Sequence, residues 1–318
     1  MKLKDHKTCI ICREIKNDFN IEHVIPYALG GRYEIDNVCV DCNSNMGTKV
    51  DIGLTTSTFA EIFREQYKLK SNSGAVPSFL SGTYPFKDVP HLQARLIDKN
   101  GQYQPFIVPH KDEKDINEHK KEISYTLDAS DKKSLNRIID KLEKEHGVDR
   151  NDIINNLTEG EITAPLLKRV VFDFNSINLG LLKIAYEFTV DCVDGYFDTN
   201  DAKEISSILL KADKESLKKI RLLNFKGMEE VKKLFSPLLS FDEHKHYLIL
   251  QDLPKQGLVC YIFMGSMSIY SLGIPMTSIN GLIDDVVILV NDVEIKSVKK
   301  FIGIYEISSA IKNSNNRL

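Results

Sequence analysis

The chain has 318 residues, 42% hydrophobic and 27% charged, which suits two domains or one small module on a larger body and excludes a disordered chain. Its 42 Lys and Arg against 45 Asp and Glu leave a net charge of −3 and a pI of about 6.3, excluding a global basic field as the means of holding nucleic acid. The N-terminus MKLKDHKTC lacks the apolar h-region of a signal peptide, and the uncharged run 256–283, with four glycines and a proline, reads as two buried strands and a loop rather than a membrane span.

The first chemistry-bearing feature is a pair of CxxC motifs, Cys9/Cys12 and Cys39/Cys42, with 26 residues between them. Each pair places two thiolates on one tight turn, and two such turns complete a tetrahedral sulfur shell for a structural zinc. The other cysteines, Cys192 and Cys260, sit among apolar residues and read as small buried hydrophobes. Cysteines spent on metal rather than on disulfides suit a reducing compartment, so a cytoplasmic location is expected.

Between the knuckles, Asn20–Ile25 reads as a short strand, Leu29-Gly30-Gly31 as a turn and Asn37–Val40 as a second strand. A helix is expected from Asn43, and another over Ser57–Lys70, where Phe59, Ile62, Phe63 and Tyr67 fall at helical spacing. Residues 71–88 are rich in Ser, Gly and Pro and mark the expected boundary. Leu92–Asp98 and Tyr103–Val108 flank Asn100-Gly101, a hairpin signal. The charge run Lys111–Glu122 reads as a solvated loop or helix face. Ser130–His146 is an amphipathic helix closed by Gly147, and Ile177–Val193 a strongly apolar one with Leu181, Ile184, Ala185, Phe188 and Cys192 on one stripe. Two more helices are expected over 201–213 and 214–235. Strands follow at Tyr247–Gln251, Leu258–Met264, Ser268–Leu272 and Val286–Asn291, then a frayed tail KNSNNRL. The expected class is α+β: a zinc-bound module over 1–72, a linker over 73–88, and a larger mixed α+β domain over 89–318.

The stretch from Cys9 to Asn43 resembles an HNH endonuclease of the kind with a four-cysteine zinc site. It has the acid-His step Glu22-His23, Pro26 downstream, a middle Asn37, and a CxxC followed at once by Asn43. Glu22 stands where Asp is common and Asn43 where many members have a second His; both are oxygen donors suited to a hard cation. The resemblance covers roughly the first 70 residues and implies a ββα-metal fold. It further implies that His23 is the general base and that Asn37 orients it. Glu22 and Asn43 would hold a catalytic Mg²⁺ or Mn²⁺, while the zinc remains structural. An imidazole titrating near pH 6.5 suits the abstraction of a proton from water near neutrality. Arg32 and Lys49 are candidate phosphate contacts.

Each residue also has a plainer reading. The cysteines alone could staple a non-catalytic binding module, Asn37 is a common turn residue, and Asn43 could cap the helix after it. Arg32 and Lys49 could be ordinary surface charges. His244 and His246 have spacing that could suit a second metal or a solvated strand end. Lys218, Lys219, Arg221 and Lys226 could contact nucleic acid or simply face water. Lys and Arg balance Asp and Glu at ten each in the first 70 residues, so a hold on DNA needs help from elsewhere. The expected function is a metal-dependent DNA endonuclease of restriction or phage defence, with RNA as another possible substrate. It is expected to work as a homodimer or higher homo-oligomer, its C-terminal body selecting the target. The alternative is a latent nuclease released by an activating ligand or partner protein.

Overall fold

In the computed structural model, the structure describes residues 8–71, 74–100, 102–117, 120–220, 222, 225–253, 257–277 and 286–315. In chain order, β1 (Phe19–His23) pairs antiparallel with β2 (Glu34–Cys39), and α1 (Val40–Lys49), α2 (Asp51–Thr55) and α3 (Thr58–Gln66) follow. Then come β3 (Thr83–Pro85), β4 (Gln93–Lys99), β5 (Gln102–Ile107), β6 (His110–Asn117), β7 (Lys120–Thr126), α4 (Lys132–His146) and α5 (Arg150–Asn155). The last third holds α6 (Phe174–Cys192), α7 (Asn200–Lys211), α8 (Phe225–Phe235), β8 (Lys245–Leu253), β9 (Gly257–Met264), β10 (Leu272–Met276), β11 (Val286–Asp292), β12 (Ser297–Ile302) and α9 (Ile304–Asn315).

The contacts divide the chain into one compact unit of residues 1–79 with 171–318 and a second of residues 80–170. This is not the expected division at 72 and 88, and the reason lies in α6. Fourteen of its 19 residues are buried, so the helix is apolar on all sides and needs a partner on each. One partner is the N-terminal module: Cys9, Ile10, Val24, Leu29, Val38, Met46 and Leu54 share one core with Leu181, Leu182, Ile184 and Phe188. Two glycines let α2 and α6 meet. A Cβ on Gly53 would lie 2.5 Å from the Ser176 Cβ, and one on Gly180 2.6 Å from Leu54 Cδ1.

The other partner is an antiparallel sheet of order β10-β9-β8-β11-β12. Strand alternation sends Leu248, Leu250, Cys260, Ile262, Ile274 and Leu289 into the core shared with α6. It sends Tyr247, Ile249, Tyr261, Phe263 and Ile288 to the opposite face, against Met228 and Phe235 of α8 and Ile307 of α9. A sheet apolar on both faces explains the near-continuous hydrophobic runs of β8, β9 and β11.

The second unit holds a three-stranded sheet, β3-β4-β5, the β6–β7 hairpin, and α4 with α5. Its small core joins Phe86, Leu92 and Ala94 to Val89, Ile107, Ile162, Ala164 and Leu166. The hairpin expected at Asn100 forms, with Asn100 at φ 58°, while Gly101 lies outside the described residues. Helix α4 is capped by Asp131 and ends at Gly147 in the left-handed region. The charge run at 111–122 departs from expectation: it is a strand pair, not a loop or helix face. Nearly every residue of β6 is exposed, so no apolar alternation marks it, and cross-strand pairs such as Lys121 with Asp115 at 3.5 Å accompany its ladder.

Smaller differences fall at element ends. Helix α1 begins at Val40, three residues before Asn43, because Cys39 takes the N-cap position. The helix expected over 57–70 spans only Thr58–Gln66, with α2 as a separate turn before it, and Ser57 caps it by accepting from Ala60 N–H. The stretch 214–235 is a 3₁₀ turn at Ser216–Lys219 followed by α8. The strand expected at Ser268 starts at Leu272, after a 3₁₀ turn, and neither β12 nor α9 was anticipated. No described helix is long and apolar enough to cross a membrane.

Candidate active site

The four-cysteine knot is built from two turns. Cys9 to Cys12 forms the first, closed by Arg13 N–H donating to the Cys9 carbonyl at 2.9 Å with Arg13 at φ 63°. Cys39 and Cys42 form the second, at the entrance and in the first turn of α1. The four Sγ atoms lie within 4.8 Å of one another, and among the described residues this is the one cluster of His, Cys, Asp or Glu side chains with metal-ligand geometry. The amides of Ile11 and Cys39 both donate to Cys9 Sγ at 3.4 Å. A hydrogen bond from Cys42 holds the Cys9 thiol down to about 5, whereas burial pushes Cys12 up to about 11. Four sulfurs with amide donors and no competing oxygen ligand fit a closed structural zinc site, which leaves no coordination position for chemistry.

His23 ends β1. The register puts it opposite Glu34 of β2, and its Nε2 lies 3.3 Å from Glu34 Oε1. Its side chain is 25% exposed, and the ring meets Tyr27 edge-on at 5.3 Å. Burial lowers its pKa, against the opposing pull of Glu34 and Glu22. A neutral, half-buried ring with an open edge can accept a proton from water. Glu34 is a partner that the sequence reading missed; its signal is the strand register, which becomes visible only when the β1–β2 pairing is drawn.

Asn43 sits in α1 and donates from Nδ2 to Asn20 Oδ1 at 2.9 Å and to the Ile21 carbonyl at 3.0 Å. It therefore lies against the two residues that precede Glu22-His23, and its amide is fixed so that Oδ1 is left as the free donor atom. Asn37 is buried in β2, its backbone carbonyl accepting from Ile10 N–H at 3.0 Å. Its Oδ1 has no partner, and no hydrogen bond joins Asn37 to His23.

Glu22 is 5% exposed and engaged by a residue outside the module. Lys183 of α6 donates from Nζ to Glu22 Oε1 and, at 2.9 Å, to the His23 carbonyl. The same ammonium lies 3.5 Å from Asp51 Oδ2 and 3.3 Å from Glu187 Oε2. Burial pushes the Asp51 carboxyl up to about 6 and the Glu187 carboxyl well above its usual range, with Lys183 opposing in both cases. Among the described residues Glu22 Oε2 has no hydrogen-bond partner, and the side chain as a whole is 6% exposed. Glu22 in β1 and Asn43, held against Asn20 and Ile21 of the same strand, each carry an oxygen of the kind a hard divalent ion takes.

The turn after His23 is clamped by the C-terminal sheet. Asn291 Nδ2 donates to the Gly30 carbonyl at 3.0 Å, and its Oδ1 accepts from Arg32 N–H at 2.8 Å. His246 Nε2 meets the Leu29 carbonyl at 2.8 Å, its ring packs on Phe63 at 5.2 Å, and burial lowers its pKa to about 4. His246 is therefore a neutral core residue, while His244 lies 3.7 Å from Asp292; the two make no metal pair. The Arg32 guanidinium lies 5.0 Å over the Tyr27 ring, which brings it to the His23 neighbourhood. Lys49 is exposed in the last turn of α1. Lys218 pairs with Glu215 at 2.6 Å and Lys219 is exposed, while Arg221 and the side chain of Lys226 lie outside the described residues.

No curated protein and no solved structure matches the chain. Over residues 9–58 it matches the family model described as HNH endonuclease, a span that holds all four cysteines, Glu22, His23, Asn37 and Asn43.

Proposed function

We propose that this protein is a metal-dependent HNH endonuclease that hydrolyses phosphodiester bonds in DNA. The observation that carries the reading is His23 at the end of β1, partly buried and 3.3 Å from Glu34, within a matched span that also holds the four gathered cysteines. In this reading His23 takes the proton of the attacking water, and Glu34 across the strand pair steadies the imidazolium that results. Glu22 and Asn43 would hold a divalent ion, Mg²⁺ or Mn²⁺, which would supply charge neutralisation at the phosphate and the leaving oxygen. Arg32, stacked on Tyr27, reaches a neighbouring phosphate, and Lys49 serves a more distant one. Asn37 makes no hydrogen bond to the imidazole; its backbone carbonyl accepts from Ile10 N–H and so ties β2 to the first cysteine turn.

The chain acts in restriction or phage defence as a homodimer in this proposal, since cutting both strands with one metal site needs two copies or two encounters. Residues 80–170 and the C-terminal sheet are the candidates for target selection. The test is plasmid cleavage with Mg²⁺ or Mn²⁺ beside a His23→Ala control. We expect cleavage by the wild type and a loss of about 10²–10⁴ in rate for the variant. Equal rates would refute the assignment. A parallel RNA substrate separates the two nucleic acids, and dependence on an added ligand or protein would identify the latent form.

A further inference from the structure

We propose that Lys183, outside the matched span, is a positioning residue of the nuclease site: it fixes Glu22 so that Oε2 faces the divalent ion. This rests on the function proposed above and extends it to a side chain on α6. Three observations carry it. The Lys183 ammonium is fully buried, and its two tightest bonds go to consecutive residues, the Glu22 carboxylate and the His23 carbonyl. One cation thus grips the step that carries both the proposed metal ligand and the proposed base. It takes Oε1 and, among the described residues, leaves Oε2 without a hydrogen-bond partner. The remaining neighbours, Asp51 at 3.5 Å and Glu187 at 3.3 Å, hold the ammonium from behind.

Stability alone is a poor account of this arrangement. A buried ammonium among three carboxylates costs desolvation that well-packed apolar side chains would not incur. Carboxylates that ligate metals are commonly held by an outer hydrogen bond that sets their orientation, and its loss lowers metal affinity about 10–100-fold. Lys183 has the geometry of such a partner.

The experiment measures Mn²⁺ binding to the zinc-loaded full chain by the EPR signal of free Mn²⁺, which needs no cleavage. Lys183→Met and Glu22→Gln should each weaken Mn²⁺ binding about 10–100-fold. In the Glu22→Gln background, Lys183→Met should add nothing. Zinc content and far-UV circular dichroism report the fold; if Lys183→Met fails to fold, Lys183→Gln, which keeps a donor, replaces it with the same expectation. Unchanged or tighter Mn²⁺ binding in the Lys183 variant would overturn the proposal, as would its full effect persisting without the Glu22 charge. A wild type that binds no Mn²⁺ overturns it as well. A wild type that binds Mn²⁺ through this pair but cuts neither DNA nor RNA refutes the nuclease reading and leaves the role of Lys183 standing.

Discussion

Replacing Asn291 by Ala tests whether the C-terminal sheet holds the nuclease turn. In the wild type one amide side chain satisfies two backbone groups, accepting from Arg32 N–H at 2.8 Å and donating to the Gly30 carbonyl at 3.0 Å. The side chain is fully buried, so no water replaces it without a new cavity. An unsatisfied buried polar group costs about 1–3 kcal/mol. The Gly30 bond is buried and counts in full, while the Arg32 bond is partly buried and counts for less, giving about 2–4 kcal/mol in all. Against a total stability of about 5–15 kcal/mol this is a large fraction. The assay is urea unfolding of the zinc-saturated chain, compared at equal m-value. The turn also carries Tyr27, which packs on the His23 ring, so cleavage should fall together with the unfolding midpoint. A loss under about 1 kcal/mol with unchanged m would refute the clamp.

Three other outcomes are expected. The chain should hold one zinc, and Cys39→Ser should release it and open the first 60 residues to proteolysis; a folded, zinc-free N-terminus would contradict this. A truncation at residue 72 should fail to fold as a soluble monomer, because its core side chains face α6 and the sheet; a cooperative, zinc-bound fragment by circular dichroism would overturn the shared core. Glu187→Gln should stabilise the fold at alkaline pH and change little at pH 5. The sign follows from the raised carboxyls. Asp51, moved from 3.8 to about 6, and Glu187, raised by burial as well, bind protons more tightly when folded, so stability is lost as pH rises through their folded values. For Asp51 alone the two-unit shift corresponds to about 3 kcal/mol. Thermal melts at pH 5 and pH 8 would show it, and a variant that melts lower than wild type at pH 8 would contradict it.

Much of the site was legible because its signals are local. Two CxxC turns, the Glu22-His23 step and Asn43 declare themselves by type and spacing within 35 residues, and the structure gathers the cysteines as that spacing requires. Glu34 and Lys183 were not legible in the same way. Glu34 becomes a partner of His23 through a register with a bulge between Asn20 and Glu22 that no residue pattern announces. Lys183 is a lysine in the middle of an apolar helix, and its partners lie 132 and 161 residues away in sequence. The domain boundary failed for a related reason. Residues 71–88 carry the composition of a linker, but composition reports flexibility of chain, not which cores merge after the chain returns at Val171. The β6–β7 pair escaped notice because a ribbon solvated on both faces leaves no hydrophobic period to read.

Helix α6 makes two grips three residues apart. Lys183 reaches the end of β1, and the Tyr186 hydroxyl donates to the Ile10 carbonyl inside the first zinc turn at 2.6 Å. A helix advances about 1.5 Å and turns about 100° per residue, so these grips are separated by a fixed step of about 4.5 Å. The helix therefore works as a gauge rod that spaces the metal staple from the imidazole. One residue inserted between Lys183 and Tyr186 would swing Tyr186 about 100° out of phase and release the staple, although every side chain of the HNH span were intact. Transplanting residues 9–58 into another protein would meet the same difficulty. The sequence-contiguous span is not a portable cassette: it needs a helix that begins more than a hundred residues later and the sheet strands that hold its turn.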